Sequence, residues 1–240
     1  VAARNGVFAR VQRALQRFVW QRRVGSWEQQ GSIGLGKVVD AILAQLELTG
    51  EEVLVDLGCG TGEIALMVAP RVREVIGVDI APAMIARLGE RARAFGLANV
   101  TGIVASLEEF ELGPASVDVV VSNYVFHHLS DAAKEETLAR IACWLRPGGQ
   151  VVIGDMMLGR GRVREDRQVI ARKVQVLARK GIGGWWRIAK NAVRYLVRVQ
   201  ERPVSRERWR QMLLRVGFAA VAVVPVVEEA AVAVARLPHP

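Results

Sequence analysis

The chain reads as a doubly wound α/β fold: a mostly parallel, seven-stranded sheet covered by helices and finished by an antiparallel C-terminal hairpin. Three features of the sequence predict it. From Glu52 onward, short β-branched runs alternate with segments of helical apolar spacing. One strand passes into its helix through a glycine-rich turn, Gly58-Cys59-Gly60-Thr61-Gly62. Two apolar runs near the end of the chain are separated only by the short polar step Glu228-Glu229. Strand–helix alternation implies right-handed crossovers and a parallel sheet with both faces covered.

The elements follow in order. Val53–Leu57, Val75–Ile80, Val100–Ala105, Val117–Asn123 and Gln150–Met157 are strands buried on both faces, being near-continuous apolar runs. Between them Glu63–Val72, Ala81–Phe95 and Asp131–Leu145 carry helical periodicity. Asp131 is the expected N-cap of the last of these, and Pro147-Gly148-Gly149 its stop. A final helix over Ser205–Val216 precedes the two strands of the edge hairpin. Four segments result: an N-terminal amphipathic helix and lid over 1–35, the core over 36–158, a basic helical insertion over 159–204, and a C-terminal helix and hairpin over 205–240.

Two of these segments stand outside the alternation. Residues 6–24 place Phe8, Val11, Leu15 and Phe18 on one helical face, with Arg10, Arg13 and Arg17 elsewhere. In the insertion, Trp185, Ile188, Ala189, Ala192, Val193, Leu196 and Val199 form an apolar stripe beside Arg187, Lys190, Arg194 and Arg198. Charge divides the same way. Residues 38–158 hold eight basic and 17 acidic side chains, whereas 159–210 hold 16 basic and four acidic. An acidic core with basic additions points to two separate jobs.

Composition excludes several classes. Hydrophobic residues make up 51% of the 240, too many for a disordered chain. Cys59 and Cys143 lie far apart with no C-x-x-C pair, which argues against a disulfide framework or a zinc site and suits a reducing cytoplasm. The arginines scattered over residues 1–24 do not read as a signal peptide. The apolar tract from Ala219 to Leu237 is broken by Pro225, Glu228 and Glu229, so it fits strands better than a membrane span.

The chemistry is expected at the strand ends. Glycines at 58, 60 and 62 let the backbone turn sharply and approach a ligand closely. No lysine follows them as a nucleoside-triphosphate loop requires. Asp79, at the tip of the second strand, can accept both hydroxyls of a ribose, or else cap the helix that begins at Ala81.

With these motifs the chain resembles the class I S-adenosylmethionine (SAM)-dependent methyltransferases, over roughly residues 36–158 and less specifically 205–237. Asp56-Leu57-Gly58-Cys59-Gly60-Thr61-Gly62 matches the family's first motif and Val78-Asp79 its second. Ser122-Asn123-Tyr124 ends the fourth strand, and Leu145-Arg146-Pro147-Gly148-Gly149 matches its late turn. The resemblance implies a Rossmann-like domain with SAM as cofactor and S-adenosylhomocysteine as product. Gly58, Gly60 and Gly62 would line the methionine moiety, with Cys59 beside them, and Asp56 would help hold its amino group. Asp79 would take the ribose diol and Ile80 would pack on adenine, with Met84 and Asn123 as further contacts. Ser106 stands where the family usually has an acid at the adenine amino group, so Ser106 or the Leu107 backbone would serve instead.

Methyl transfer from a sulfonium is an in-line displacement on an activated electrophile, so alignment and water exclusion are the main demands. Tyr124, His127 and His128 are the candidates beside the methyl group. A histidine there would deprotonate a hydroxyl or an acidic carbon, or else the pair only packs at the helix entrance. Ser122-Asn123-Tyr124-Val125 lacks the prolines that follow the fourth strand in methyltransferases of nucleobase amines. The Ser-Asn-x-x-x-His-His pattern instead resembles methyltransferases of quinones, lipids and other small molecules. An apolar or lipid-like small molecule is therefore the expected substrate, with the protein cytoplasmic or peripheral at an anionic membrane surface. Packing of the basic helices on the core, RNA methylation, and SAM binding without turnover are the alternatives.

Overall fold

The computed structural model describes residues 33–159 and 202–239, together with 17–18, 167, 171 and 174–175. The amphipathic helix expected over 6–24 and the insertion over 159–204 lie almost wholly outside these described residues.

Helix α1 (Ile33–Gln45) opens the fold, followed by β1 (Val53–Leu57), α2 (Glu63–Val68) and a single 3₁₀ turn (Ala69–Arg71). Then come β2 (Glu74–Asp79), α3 (Pro82–Ala94), β3 (Val100–Val104), β4 (Val117–Asn123) and a 3₁₀ turn over Phe126–His128. The chain continues through α4 (Asp131–Trp144), β5 (Leu145–Met156), α5 (Arg206–Arg215), β6 (Ala219–Pro225) and β7 (Ala230–Arg236). All seven strands form one sheet in the order β3-β2-β1-β4-β5-β7-β6. The first five are parallel, and β7 runs antiparallel to both β5 and β6. The mixed sheet with its C-terminal hairpin is the predicted architecture.

Strand order reverses between β1 and β4, because the chain winds outward through β2 and β3 before returning to β4. Loops leave such a junction in opposite directions and open a crevice at the strands' carboxyl ends, where ligands of open α/β sheets bind. The ends there are level: Leu57 pairs with both Val78 and Ser122, and Asp79 with Val104. Ser122 Oγ donates to the Leu57 carbonyl at 2.7 Å, tying β4 to β1 at the rim.

Two apolar clusters cover the sheet's faces. One packs α4 and α5 through Leu138, Ile141, Trp144, Trp209 and Met212, and the other packs α1, α2 and α3 through Val38, Ile42, Ile64, Val68 and Leu88. Within the first, Phe126 and Trp209 meet edge to face at 5.4 Å, fixing the 3₁₀ turn against α5.

Four expectations need correction. Ser130, not Asp131, caps α4: its Oγ accepts from the Ala133 N–H at 3.1 Å, and Asp131 is the first helical residue. The helix ends at Trp144, ahead of Pro147-Gly148-Gly149, and those residues form a bulge inside a longer β5. β3 is not buried on both faces. It is an edge strand with Thr101, Gly102 and Val104 exposed. Finally, the core begins before residue 36, because α1 starts at Ile33 and its later turns are buried on the sheet.

Helix α1 is held by tertiary contacts more than by its own sequence. Val38 and Ile42 lie where a Cβ on Gly154 would sit, 2.6 and 2.7 Å from their methyl carbons, so the missing side chain lets the helix lie close on β5. Gln150 Nε2 then donates to the Gln45 carbonyl at 2.8 Å, satisfying a free acceptor at the helix end.

Candidate active site

The glycine-rich turn closes over the end of β2. The N–H groups of Gly58 and Cys59 both donate to the Val78 carbonyl, at 2.7 and 3.0 Å. The Gly60 N–H donates to Asp79 Oδ2 at 3.0 Å. Gly58, Gly60 and Gly62 all have positive φ, at 75°, 54° and 90°, so each uses the freedom that only glycine has there. Their open sides differ. A Cβ on Gly58 would strike the Val125 side chain, and one on Gly62 would strike Leu88 and Leu66. One on Gly60 would meet nothing within 4 Å among the described residues. Of the three, only Gly60 offers its bare face to open space.

The Cys59 side chain turns away from this open face into the core. Its Sγ lies 3.0 Å from the Cβ position of Gly77, within the apolar cluster beneath the turn, and burial pushes its thiol pKa well up. Gly77 admits the thiol because it has no side chain. Met84 and Leu107 are likewise buried, Met84 in the first turn of α3 and Leu107 in the core. Ile80 is half-buried, and its carbonyl accepts from Arg17 Nε at 3.2 Å.

Two carboxylates lie at this turn. Asp79 accepts from Gly60 N–H through Oδ2 and from Ala81 N–H through Oδ1 at 2.8 Å. It is not the helix cap, since Ala81 holds that position before α3. Each of its oxygens keeps a second lone pair for a ligand hydroxyl. Asp56 lies deeper, accepting from the Ala65 N–H of α2 at 3.2 Å. Burial raises the pKa of both. Asp56 is pushed to about 7, aided by the negative charges of Asp79 and Glu63 and opposed by the Ala65 hydrogen bond.

This has a consequence for stability. Between about pH 4 and 7, folded Asp56 keeps a proton that the unfolded chain has released. Stability of the ligand-free protein should thus fall as pH rises through that window. Each pH unit costs about 1.4 kcal/mol while one proton separates the states. Asp79 acts in the same direction. Thermal melts from pH 4 to 7 should show Asp56→Asn removing most of this decline; an unchanged slope would mean Asp56 is already ionised.

The other wall follows β4. Tyr124 has φ 56°, rare for a bulky residue, and its N–H donates to the Gly154 carbonyl at 2.8 Å. Burial, with Glu229 and Asp155 nearby, pushes its hydroxyl up to about 12, so it remains a phenol that donates hydrogen bonds. His127 is buried in the 3₁₀ turn, 6.2 Å from the Tyr124 ring and 4.0 Å from that of half-buried His128. His127 Nδ1 is 2.6 Å from Asp155 Oδ1, and its backbone N–H donates to Asp155 Oδ2 at 2.7 Å. Asp155 is fully buried and also accepts from the Met156 N–H. Where Asp155 is a carboxylate it can only accept, so Nδ1 is the donor in this contact, and Nε2 has no hydrogen-bond partner among the described residues.

Asp155 was missed in the sequence, where it follows Val151-Val152-Ile153-Gly154 as one more strand residue. Two further atoms await partners. Ser106 Oγ and Asn123 Oδ1 are buried, with no hydrogen-bond partner among the described residues. Such groups are costly unless a ligand or water satisfies them. Both lie at strand ends around the turn, Asn123 ending β4 and Ser106 beyond Ala105, whose N–H donates to the Asp79 carbonyl.

Residues 54–149 match the family model of a methyltransferase domain. An uncharacterized methyltransferase of Geobacillus kaustophilus is 31% identical over 116 residues, 48% of this chain and 52% of that protein. The chain thus spans about half the length of the curated relatives it matches. Among solved structures, the YcgJ protein of Bacillus subtilis has a TM-score of 0.62 at 16% identity, covering 85% of this chain and 99% of that one. Phosphoethanolamine N-methyltransferase 2 of Haemonchus contortus, solved with phosphomonomethylethanolamine and S-adenosylhomocysteine, has a TM-score of 0.63 at 20% identity, covering 84% and 52%. These two likenesses show the fold. With the glycine turn, the second-strand acid and the matched residues together, residues 54–149 are similar to a methyltransferase domain, and the fold is that of the solved methyltransferase structures.

Proposed function

We propose that this protein transfers the methyl group of SAM to a small-molecule acceptor that is apolar or lipid-like. The observation that carries the reading is the open face of Gly60, held against the Asp79 carboxylate at the point where strand order reverses. The residues present fit the cofactor. Gly60 leaves room for its methionine portion, Asp79 has lone pairs for the ribose hydroxyls, and Ser106 Oγ and Asn123 Oδ1 are buried acceptors without partners among the described residues. When bound, SAM supplies an activated methyl group on a sulfonium.

The chain's own part is to align the acceptor and take its proton. Asp155 fixes the His127 ring, leaving Nε2 free to receive a proton from a hydroxyl, an ammonium or an acidic carbon. Tyr124 would hold the acceptor by a donated hydrogen bond. The acceptor class rests on the Ser122-Asn123 to His127-His128 pattern without prolines. No helix among the described residues is long and apolar enough to cross a membrane.

The test has two parts. Calorimetry should show SAM binding, weakened by about 1.5–3 kcal/mol in Asp79→Ala as charge-assisted hydrogen bonds are lost. Unchanged affinity would remove Asp79 from the site. Methyl-labelled SAM, incubated with the protein and lipid or polar small-molecule extracts, should label a lipid-phase product. Label appearing only in RNA would overturn the acceptor class, and binding with no label in any fraction would overturn catalysis.

A further inference from the structure

We propose that Arg140, on α4, is a positioning residue for the cofactor's base: it holds the loop after β3 in the shape that presents Ser106 and Leu107 to adenine. The inference rests on the SAM reading above. Its basis is one guanidinium that gathers three backbone carbonyls of this turn. Nη2 donates to the Leu107 carbonyl at 2.6 Å and to Thr137 Oγ1 at 3.1 Å. Nη1 donates to the Phe110 carbonyl at 2.9 Å, the Glu108 carbonyl at 3.1 Å and Glu111 Oε1 at 3.3 Å.

Besides Arg140, the loop is held by its own turn and by the side chains of Leu107 and Phe110, which are buried in the core. The Ser106 carbonyl accepts from the N–H groups of Glu109 and Phe110, closing a single turn. That turn's next carbonyls, Leu107 and Glu108, point at the guanidinium. Upstream, Ala105 N–H donates to the Asp79 carbonyl at 3.0 Å, so the loop is anchored to β2 at one end and to Arg140 at the other. Ser106, whose buried Oγ has no partner among the described residues, lies between the anchors.

Arg140 is itself held in place. Its side chain is 19% exposed, and the guanidinium lies 5.9 Å from the Trp144 ring centroid. Trp144 in turn meets Phe110 edge to face at 5.4 Å. A planar fork with five N–H donors can span three carbonyls at once, which a lysine ammonium on its flexible stem cannot. A family acid at position 106 would make its own charged contact with the adenine amino group. A neutral serine is a weaker partner whose value depends on being placed well, and Arg140 does the placing.

The experiment compares two ligands on wild type, Arg140→Met and Arg140→Lys, well below each melting temperature. The ligands are S-adenosylhomocysteine and S-inosylhomocysteine, which differ at the base's 6-position, where an oxo group replaces the amino group. Arg140→Met should weaken S-adenosylhomocysteine binding by about 10–100-fold, equivalent to about 1.4–2.8 kcal/mol. The loss for the inosine analogue should be at least fivefold smaller. Arg140→Lys, which keeps the charge and folds more readily, should show an intermediate loss of the same pattern. Equal losses for both ligands would mean general loosening, and affinity within threefold of wild type would mean Arg140 only stabilises the fold; either overturns the proposal. If wild type binds neither ligand, the cofactor reading itself falls, an outcome distinct from a wild type that binds and an Arg140→Met variant that binds equally well.

Discussion

His127→Ala should lower turnover by about 10²–10⁴-fold while SAM affinity barely changes, the range for losing a positioned general base. The buried partner Asp155 sharpens the expectation. Its carboxylate accepts from Nδ1, which selects the tautomer with a free Nε2, and its other oxygen accepts from the His127 backbone N–H. Asp155→Asn preserves volume but can present an amide N–H to Nδ1, favouring the opposite tautomer. It should therefore lose at least tenfold in turnover. Single-turnover rates from pH 5 to 9, with the SAM dissociation constant measured alongside, check both variants. A loss under threefold for His127→Ala would leave alignment alone as the mechanism, and His127 would be only a packing residue.

Why Asp155 was invisible and His127 visible in the sequence has a physical explanation. Histidines are rare here, three in 240 residues, and two follow a strand end where ligands gather. Asp155 carries no such signal. It pairs with His127 because β4 and β5 are parallel neighbours, with Asn123 level with Gly154. That proximity exists only once the sheet has formed. The same limit applies to α1. Gly34 and Gly36 weaken its local helical preference, and the helix is fixed by Val38 and Ile42 lying over Gly154, more than a hundred residues away. In contrast, β1 and β4 were predicted to the residue, because a short valine-rich apolar run that stops at Gly58 or Asn123 needs no long-range information. The edge position of β3 was not legible, since an edge strand and a central strand of this length have the same composition.

The glycine turn divides into positions that protect the fold and one that admits a ligand, and alanine separates them. Gly58→Ala places a Cβ 2.1 Å from Val125 Cγ2 and 2.9 Å from Cγ1, at φ 75°. Valine is β-branched and cannot swing away cheaply. The left-handed backbone costs about 1–2 kcal/mol and the overpacking about 1–3 kcal/mol more. Val125 also lies between strained Tyr124 and the turn bearing His127, so its displacement reaches both walls of the site. Gly58→Ala should accordingly lower the melting temperature by several degrees or more, and reduce SAM binding and turnover together. Gly60→Ala pays the same backbone cost but meets nothing within 4 Å among the described residues, so the protein should fold with a loss of only about 1–2 kcal/mol. Its new methyl group enters the space assigned to the cofactor, and SAM affinity should fall by at least tenfold. Denaturant melts paired with calorimetry distinguish the two: stability lost at Gly58, affinity lost at Gly60 in a stable protein. Normal SAM binding by Gly60→Ala would place the cofactor elsewhere, and an unperturbed Gly58→Ala would mean that Val125 does not close against the turn.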